Sequence, residues 1–480
     1  MSEGMERKRF SRRLLLKYTL ALTGAGATAS LLGACANQPA APAQAPAATQ
    51  APAAKEAPKP AATQAPAAQS AAGPTEIAIG ENLPLSGTSA SQGIQLRTGS
   101  EIAADEINAA GGIKALGGAK IKLVFADSKS TPDGGAAEEE RLITTQNVAM
   151  ILGCYQSNVT FPATEVAQRY KTPHLVNVAV KNEITERGYD YVFRDFNKAS
   201  YDVREMIEGA KLFSEETGKA PTNVGFFYEG SDWGRSTHDY MAKLYPEAGY
   251  KVLFDEAYPS GQSTFSSQLV KIKAANLDML VIAMYTPDHI IFSKELMGQK
   301  LYFPYGLWSV GAGSEDPTFY KAVPQAAVDY MFVQEDGDIL ANTRPYYARI
   351  NDKAKPKLGY DLNTYVLAGY GTIWVAKDAL ERTKYDADIA KFRSNLRDAL
   401  AATKITEADC KDKQTAGGKE YCPALVRGIQ EVSFDKDGQN THSHGQISEN
   451  LGGVRVPLAP MAVRMEGKKP VWPVPPWDQR

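Results

Sequence analysis

The spacing of apolar positions near the start of the globular sequence predicts a strand, a loop and a helix. Ile77 and Ile79 alternate with small residues, which is typical of a strand. Residues 84–93 are rich in Pro, Ser and Gly and predict a loop, and apolar residues of 96–107 recur at helical spacing up to Gly111. Ligands of such α/β units lie at the carboxyl ends of strands, so this loop is a candidate binding segment.

The same rhythm continues along the chain and restarts near residue 223. It predicts an α/β fold in which parallel sheets carry helices on both faces. Further strands are predicted at 120–125, 148–153, 174–178, 191–194, 223–227, 251–255, 279–283, 302–306 and 328–333. Further helices are predicted at 132–145, 160–170, 201–217, 234–248, 265–275, 287–297, 362–382 and 389–402.

Composition agrees with a globular protein and excludes some partners. The chain has 480 residues, of which 43% are hydrophobic and 22% are charged, with a net charge of −2. This length is enough for two domains. The near-neutral balance gives no electrostatic reason to bind nucleic acid.

The amino terminus has the pattern of an export signal. Residues 1–17 are basic, and a short apolar stretch, 18–32, follows. The segment around Arg12 and Arg13 resembles a twin-arginine signal, and Leu-Gly-Ala-Cys ending at Cys35 resembles a bacterial lipobox, in which the cysteine is acylated. We expect residues 1–35 to be a lipoprotein signal peptide; the alternative is a buried amphipathic helix that ends in an incidental cysteine.

Residues 36–73 consist almost wholly of Ala, Pro, Gln and Thr. Such a segment has too few large apolar residues to form a core, and its prolines favour extended backbone. Directly after an acylated cysteine, it would act as a tether that holds the folded domain away from the membrane.

Two motifs resemble the branched-chain amino-acid-binding family of type I periplasmic binding proteins. In this family a PLSG-x-x-A-x-x-G loop leads into a helix that ends in INA-x-GGI, and residues 84–93 and 107–113 match these patterns. The resemblance implies a two-lobed clamshell, each lobe a mostly parallel sheet with helices on both faces. It places the lobe 1 segments at 74–195 and 335–434, and the lobe 2 segments at 196–334 and 435–480, the last including the C-terminal tail.

The resemblance also indicates where a ligand would contact the first lobe. Gln92 lies in the opening loop, and Tyr155, Gln156 and Ser157 lie between a predicted strand and a predicted helix. Free N–H groups at a helix start favour a carboxylate, and Ser157 matches the family hydroxyl that contacts it. A residue at this position also caps helices without binding anything.

The matching family contacts to a ligand ammonium group are incomplete. Val180 replaces the usual Ser or Thr, so that the carbonyl of Ala179 is the remaining acceptor there. No carboxylate occurs at Leu307–Ser309, where the family acid is expected, although Glu229 or Asp232 could supply a displaced one. A buried ammonium group without partners is costly, so the pattern weakens the inference to an α-amino acid.

Four aromatic residues are predicted on loops at strand ends. They would line a pocket that suits apolar or aromatic acids, amides, or a cation held over rings. Each alone is also a common core residue. They are Tyr155, Trp233, Tyr285 and Trp308.

Other chemistry-bearing residues do not form a recognisable centre. Cys410 and Cys422 enclose a polar insert, and in an exported protein they predict a disulfide. His442 and His444 lack a nearby third ligand, so we expect no metal site. No nucleophile elbow, P-loop or dinucleotide motif is present, so we expect neither a cofactor nor an enzyme.

The resemblance therefore implies the solute-binding component of an ABC importer. The protein would be a monomer, lipid-anchored on the outer face of the cytoplasmic membrane, and would deliver a small carboxylate-bearing solute to permease and ATPase subunits. A branched-chain or other amino acid is the expected cargo, and an aromatic acid or amide is the alternative. The other hypotheses are a ligand sensor for a signalling partner and a surface enzyme.

Overall fold

The first of the two large sheets contains five parallel strands. A computed structural model describes residues 73–337 and 343–480; the predicted signal peptide, Cys35 and the tether up to residue 72 lie outside this range. The strand order is β2-β1-β3-β4-β5, and all four pairings are parallel. The strands are β1 (Glu76–Leu83), β2 (Lys120–Asp127), β3 (Met150–Gly153), β4 (His174–Val176) and β5 (Val192–Arg194).

The second sheet has seven strands, five parallel and two antiparallel at one edge. Its order is β16-β15-β10-β9-β8-β6-β7. The parallel strands are β6 (Asn223–Glu229), β7 (Lys251–Tyr258), β8 (Met279–Ala283), β9 (Leu307–Val310) and β10 (Phe332–Glu335). The edge hairpin is β15 (Gln446–Leu451) and β16 (Val454–Ala459).

Helices cover both faces of each sheet. One face of the first sheet packs on α1 and α10–α12, and the other on α2 and α3. The second sheet packs on α4 and α5 on one side and on α6–α9 on the other. The helices are α1 (Ala90–Ala109), α2 (Pro132–Thr144), α3 (Ser157–Arg169), α4 (Ala199–Thr217), α5 (Asp232–Glu247), α6 (Ser266–Ala274), α7 (Thr286–Gly298), α8 (Pro317–Ala322), α9 (Gln325–Val328), α10 (Tyr346–Leu358), α11 (Thr364–Arg382) and α12 (Ile389–Ala401).

The chain passes between the two sheets three times. It leaves the first sheet after β5, returns to it after β10, and enters the second sheet again before β15. The first and third passages lie side by side, because Arg194 N donates to Gly438 O at 2.8 Å and Asn440 N donates to Arg194 O at 2.9 Å. The predicted α/β class and two-lobed architecture are confirmed.

A small region near the end of the first lobe contains the remaining strands. Cys410 and Cys422 form a disulfide that flanks the hairpin of residues 414–421. The remaining cysteine of the described residues, Cys154 after β3, is buried as a free thiol. None of the helices in 73–337 and 343–480 combines the length and apolarity needed to cross a bilayer. The strands are β11 (Lys404–Thr406), β12 (Gln414–Ala416), β13 (Lys419–Tyr421) and β14 (Glu431–Ser433).

Two predicted strands are shifted along the chain. The strand expected at 328–333 is β10, at Phe332–Glu335, and the other shift affects the site. The strand expected at 302–306 lies instead at Leu307–Val310, as β9. Pro304 lacks an N–H for a sheet ladder, and Gly306 adopts a positive φ of 83° in the turn before β9. The loop that follows this strand therefore begins at Gly311 and not at Leu307.

Candidate functional site

A cavity with an empty volume of about 380 Å³ lies between the two sheets. Most of its lining comes from the carboxyl ends of strands β3, β4, β5, β6, β8, β9 and β10, where ligands of parallel sheets are found. The lining residues are Tyr155, Ser157, Val178, Ala179, Val180, Phe196, Asp202, Trp233, Tyr285, Val310, Gly311, Ala312, Glu315, Gln334, Asp336 and Tyr365.

The start of α3 forms one pole of the cavity. The carbonyl of Gln156 accepts the first intrahelical bonds, from Val159 and Thr160, so the N–H groups before them have no partner within the helix. Ser157 lines the cavity, and its Oγ accepts from Lys181 N at 3.2 Å, which leaves the hydroxyl hydrogen available to donate. This pole presents hydrogen-bond donors and the positive end of a helix dipole.

Gln156 and Gln92, two of the predicted contacts, do not line the cavity. Gln156 is buried at the N-cap of α3. Gln92 lies between the lobes, where its Nε2 donates to Asp316 Oδ2 at 2.6 Å and to Thr286 Oγ1 at 3.2 Å. The position of Gln92 favours a role in holding the lobes together.

A buried arginine holds the loop that contains Ala179 and Val180. Arg194 Nη1 donates to Ala179 O at 3.0 Å and to Lys181 O at 2.8 Å, and Arg194 Nε donates to Gln439 Oε1 at 2.6 Å. Burial lowers the pKa of Arg194 to about 10, which leaves the guanidinium charged at neutral pH. The carbonyl of Ala179, expected to face a ligand ammonium group, thus already accepts from this arginine.

Aromatic rings form one wall of the cavity. The rings of Tyr285 and Trp233 are 4.6 Å apart between centroids, and those of Tyr155 and Tyr285 are 6.2 Å apart. Tyr365 of α11 adds a ring at 5.3 Å from Tyr155, in an edge-on arrangement. The structure therefore brings together three of the four predicted aromatic residues and adds one that the sequence did not single out.

Trp308, the fourth predicted aromatic residue, is a core residue and not a cavity residue. Its side chain is fully buried and stacks on Phe332 at 4.7 Å, with Phe213 and Trp472 also around it. Its Nε1 donates to Tyr305 O at 2.9 Å. The expectation fails because Trp308 lies within β9, whereas the loop that reaches the cavity starts three residues later.

Three carboxyl groups form the second pole of the cavity, the acidic pole. The sequence analysis did not predict these residues. Glu315 lies in the loop after β9, Asp336 follows β10, and Asp202 is in the first turn of α4. Burial, together with the charge of Asp336, raises the pKa of Glu315 to about 8. Burial also raises the pKa of Asp202 and that of Asp336.

Two amide side chains hold this acidic pole together. Asn197 Nδ2 donates to Asp202 Oδ1 at 2.6 Å and to Asp336 Oδ1 at 3.1 Å. Gln334 Nε2 donates to Asp336 Oδ1 at 2.8 Å and to Glu205 Oε2 at 3.2 Å. Oxygens of Asp202, Glu205 and Asp336 lie within 4.8 Å of one another. In the part of the chain that the structure describes, this is the one cluster of three or more such side chains close enough to hold a metal ion.

The two residues proposed as substitutes for the family acid have other partners. Glu229 accepts from Gly234 N and from Ser231 at the start of α5. Asp232 accepts from Lys181 Nζ at 2.9 Å across the two lobes. The carboxyl groups that line the cavity are instead those of Asp202, Asp336 and Glu315, the last eight residues beyond the start of β9.

The lobes of this structure are closed over the cavity. Besides the bonds of Gln92 and the Lys181–Asp232 ion pair, Tyr365 Oη of α11 donates to Glu315 Oε2 at 3.0 Å. These contacts join residues of the first lobe to residues of the second. A site enclosed in this way releases or admits a solute by hinge motion of the lobes.

A clamshell of two parallel sheets with an enclosed cavity between them defines the class of solute-binding proteins. The profile of the family described as "Periplasmic binding protein" matches residues 76–417, so the chain belongs to that family. A relative, "Leu/Ile/Val-binding protein homolog 7" of Brucella abortus (strain 2308), is 30% identical over 329 residues, which cover 66% of this chain and 80% of that protein.

Two solved structures have the same fold. One is the branched-chain amino acid transporter substrate-binding protein LivJ of Streptococcus pneumoniae with isoleucine, at 22% identity and a TM-score of 0.64, covering 79% of this chain and 97% of that one. The other is a solute-binding protein of R. palustris with benzoate, at 18% identity and a TM-score of 0.64, covering 80% and 95%. The predicted resemblance to the branched-chain amino-acid-binding family is confirmed.

Proposed function

We propose that this protein is the lipid-anchored, solute-binding component of an ABC importer and that its cargo is an amino acid. The observation that carries the proposal is the opposition of two poles in one enclosed cavity. Donors at the start of α3, with Ser157, face it from the first lobe, and the carboxylates of Glu315 and Asp336 face it from the second. The two poles match the carboxylate and the ammonium group of a zwitterion.

The donor pole would hold the carboxylate. A carboxylate accepts well from unpaired N–H groups at a helix start and from a hydroxyl, and the helix dipole favours its charge. The relative named for Leu, Ile and Val and the structural neighbour with isoleucine support an amino acid as cargo.

The acidic pole would hold the ammonium group. It supplies the charge partner that the sequence lacks at the family position, since Glu315 and Asp336 lie outside 307–309 but line the cavity. An aromatic acid is the second candidate, favoured by the rings of Tyr155, Trp233 and Tyr285 and by the neighbour with benzoate. A solute without a positive charge would leave the acidic pole without a partner.

The remaining parts of the proposal concern location and partners. Acylation at Cys35 would anchor the protein on the outer face of the cytoplasmic membrane, since each buried CH₂ of an acyl chain contributes about 0.8 kcal/mol. The closed form would be recognised by permease and ATPase subunits, with the protein acting as a monomer. Loss of solute uptake on deletion of the gene would support import, whereas loss of a transcriptional response with normal uptake would support a sensor.

Replacing Ser157 with alanine is expected to weaken binding of the cargo about 10- to 100-fold, because a hydrogen bond to a charged group contributes about 1.5–3 kcal/mol. Calorimetric titration with an amino acid ligand measures the effect. Ser293→Ala is the matched control, since Ser293 is also buried in a helix but its hydroxyl has no partner among the described residues and lies outside the cavity. Unchanged affinity in a folded Ser157→Ala protein would refute the carboxylate pole.

A further inference from the structure

Apart from tyrosines, the ionisable groups that line the cavity are all carboxyl groups. Asp202, Glu315 and Asp336 line it, and the lining described by the structure includes no Lys, Arg or His. A zwitterionic amino acid brings one positive group and carries one negative group of its own. Bound alone, it would offer one cationic group to a site that has three carboxyl groups.

The cationic side chains near the cavity form their hydrogen bonds and ion pairs with groups other than the three cavity acids. Arg194 donates to backbone carbonyls and Gln439, as described above, and Lys181 pairs with Asp232. Arg455 pairs with Glu335 at 2.9 Å, and Arg427 lies 3.3 Å from Asp195. Arg427 also attracts Asp336 at longer range, which offsets part of one charge. Arg194 and Arg455 act on Asp202 and Glu315 in the same way at longer range, but none of these cations forms an ion pair with a cavity acid.

Three oxygen atoms converge on one point of the acidic pole. A methyl group built on Gly311 would lie 3.6 Å from Gln334 Oε1, 3.7 Å from Asp336 Oδ2 and 3.7 Å from Glu315 Oε2. Gln334 is fully buried, and its Oε1 has no hydrogen-bond donor within the described residues. A buried acceptor without a donor is costly, so a bound molecule that donates at this point would be stabilised.

An alkylammonium or guanidinium group satisfies this arrangement. It offers several N–H donors to acceptors that surround one point, together with a positive charge. The rings of Tyr155, Trp233 and Tyr285 stand in the same cavity, and aromatic faces attract cations within about 6 Å of the ring centre. Neutral aliphatic side chains use neither feature.

We propose that the cargo carries a net positive charge, as a basic amino acid or a small diamine does, with one cationic group held by Glu315, Asp336 and Gln334. This inference rests on the proposed function and specifies its substrate class. A basic amino acid also has a carboxylate, which Ser157 and the start of α3 would bind. A diamine has no carboxylate.

Calorimetric titration of the protein with L-lysine, L-norleucine and cadaverine tests the inference. Norleucine is lysine without the side-chain ammonium group, and cadaverine is lysine without the carboxylate. We expect lysine to bind at least about tenfold more tightly than norleucine. Cadaverine binding as tightly as lysine would identify the diamine, and weaker cadaverine binding would identify the basic amino acid.

Several outcomes would overturn the inference. Norleucine or leucine binding as tightly as lysine would contradict it and leave the proposed amino acid function intact. Binding of benzoate alone would contradict both the charge and the amino acid. Calcium binding that competes with lysine would show that the acidic pole is a metal site, and absence of binding by lysine and cadaverine would also reject the inference.

Variants at the acidic pole provide a second test. Glu315→Gln and Asp336→Asn keep side-chain volume, and each is expected to weaken lysine binding at least about tenfold. Glu449→Gln is the matched control, because Glu449 is a buried acid whose pKa is also raised to about 8 but lies outside the cavity. Equal affinity of all three variants for lysine would contradict the assignment.

The affinity for lysine should rise between pH 6 and pH 8. A proton on Glu315 competes with the cation, and the pKa of this carboxyl is raised to about 8, so deprotonation accompanies binding below that pH. Each proton released changes the affinity by roughly tenfold per pH unit, while lysine keeps its charge over this range. The groups that face Glu315 are Glu335 of β10, Asp336 after β10, Tyr155 after β3, Tyr320 of α8, Tyr365 of α11, Arg455 of β16 and Asp202 of α4.

Titration at several pH values, in buffers with different ionisation enthalpies, measures the affinity and the proton release together. Glu315→Gln should flatten the pH profile, whereas Glu449→Gln should leave it unchanged. An affinity for lysine that is constant from pH 6 to pH 8 would show that no cavity carboxyl titrates on binding, and it would contradict the proposed ion pair.

Discussion

Replacing Gly369 with alanine is expected to lower the free energy of unfolding by about 3 kcal/mol. Gly369 lies in α11 where this helix crosses α1, and a Cβ atom there would lie 2.1 Å from Leu96 O. The neighbour is backbone and cannot rotate away. Gly99 of α1 faces α11 in the same manner, with Val366 O at 2.0 Å from an added Cβ, so both helices depend on glycine for their approach.

Gly371→Ala, two residues along the same helix, is the matched control. The nearest heavy atom to an added Cβ at Gly371 is Ala424 O at 3.5 Å, an ordinary contact. Alanine is favoured over glycine in a helix interior by about 1 kcal/mol, so this change should be neutral or stabilising. Chemical denaturation of both variants measures the difference. Equal stability of the two variants would show that α1 and α11 do not pack as closely as described.

Replacing Arg194 with methionine is expected to lower the free energy of unfolding by about 3–5 kcal/mol and to abolish tight ligand binding. The fully buried guanidinium donates to Ala179 O, Lys181 O, Thr185 Oγ1 and Gln439 Oε1. Methionine would leave these acceptors unpaired in the interior. The 179–181 loop would also lose the contact that positions it at the cavity.

Arg393→Met separates the loss of stability from the loss of binding. Arg393 is also buried and donates to the carbonyls of Val148 and Ile143, on the side of the first lobe away from the cavity. Both variants should unfold at lower denaturant concentration, but the folded Arg393→Met protein should keep its affinity in titration. If Arg194→Met bound ligand as well as Arg393→Met does, Arg194 would have no role in positioning the loop.

Local pattern was sufficient to predict most elements of the fold. The period of two around Ile77 and the helical period of 96–107 are properties of neighbouring residues, and the structure has β1 and α1 there. The sequence indicated the cavity residues Tyr155, Ser157 and Tyr285 because each lies within four residues after a strand whose end was predicted correctly. The motif at 84–93 then indicated the family.

The rest of the site depends on information that local patterns do not contain. The predicted start of the strand at 302–306 was five residues before the start of β9. This error placed Trp308 on the loop at the cavity, although it is a core residue, and it left Glu315 unrecognised. Asp202 and Asp336 are 134 positions apart, and they meet only because α4 and β10 belong to the same lobe. The polar triplet Gln334-Glu335-Asp336 at the end of an apolar strand was the available signal for this pole.

Thermal unfolding in the presence of candidate solutes tests the central claim, reversible capture of an amino acid between the lobes, most directly. The panel should contain leucine, isoleucine, lysine and benzoate, each at millimolar concentration. A ligand at about 100 times its dissociation constant adds about 2.7 kcal/mol to the free energy of unfolding. We predict a raised unfolding midpoint with at least one amino acid and a smaller rise in Ser157→Ala. An unchanged midpoint of the wild-type protein with all the amino acids would contradict the account.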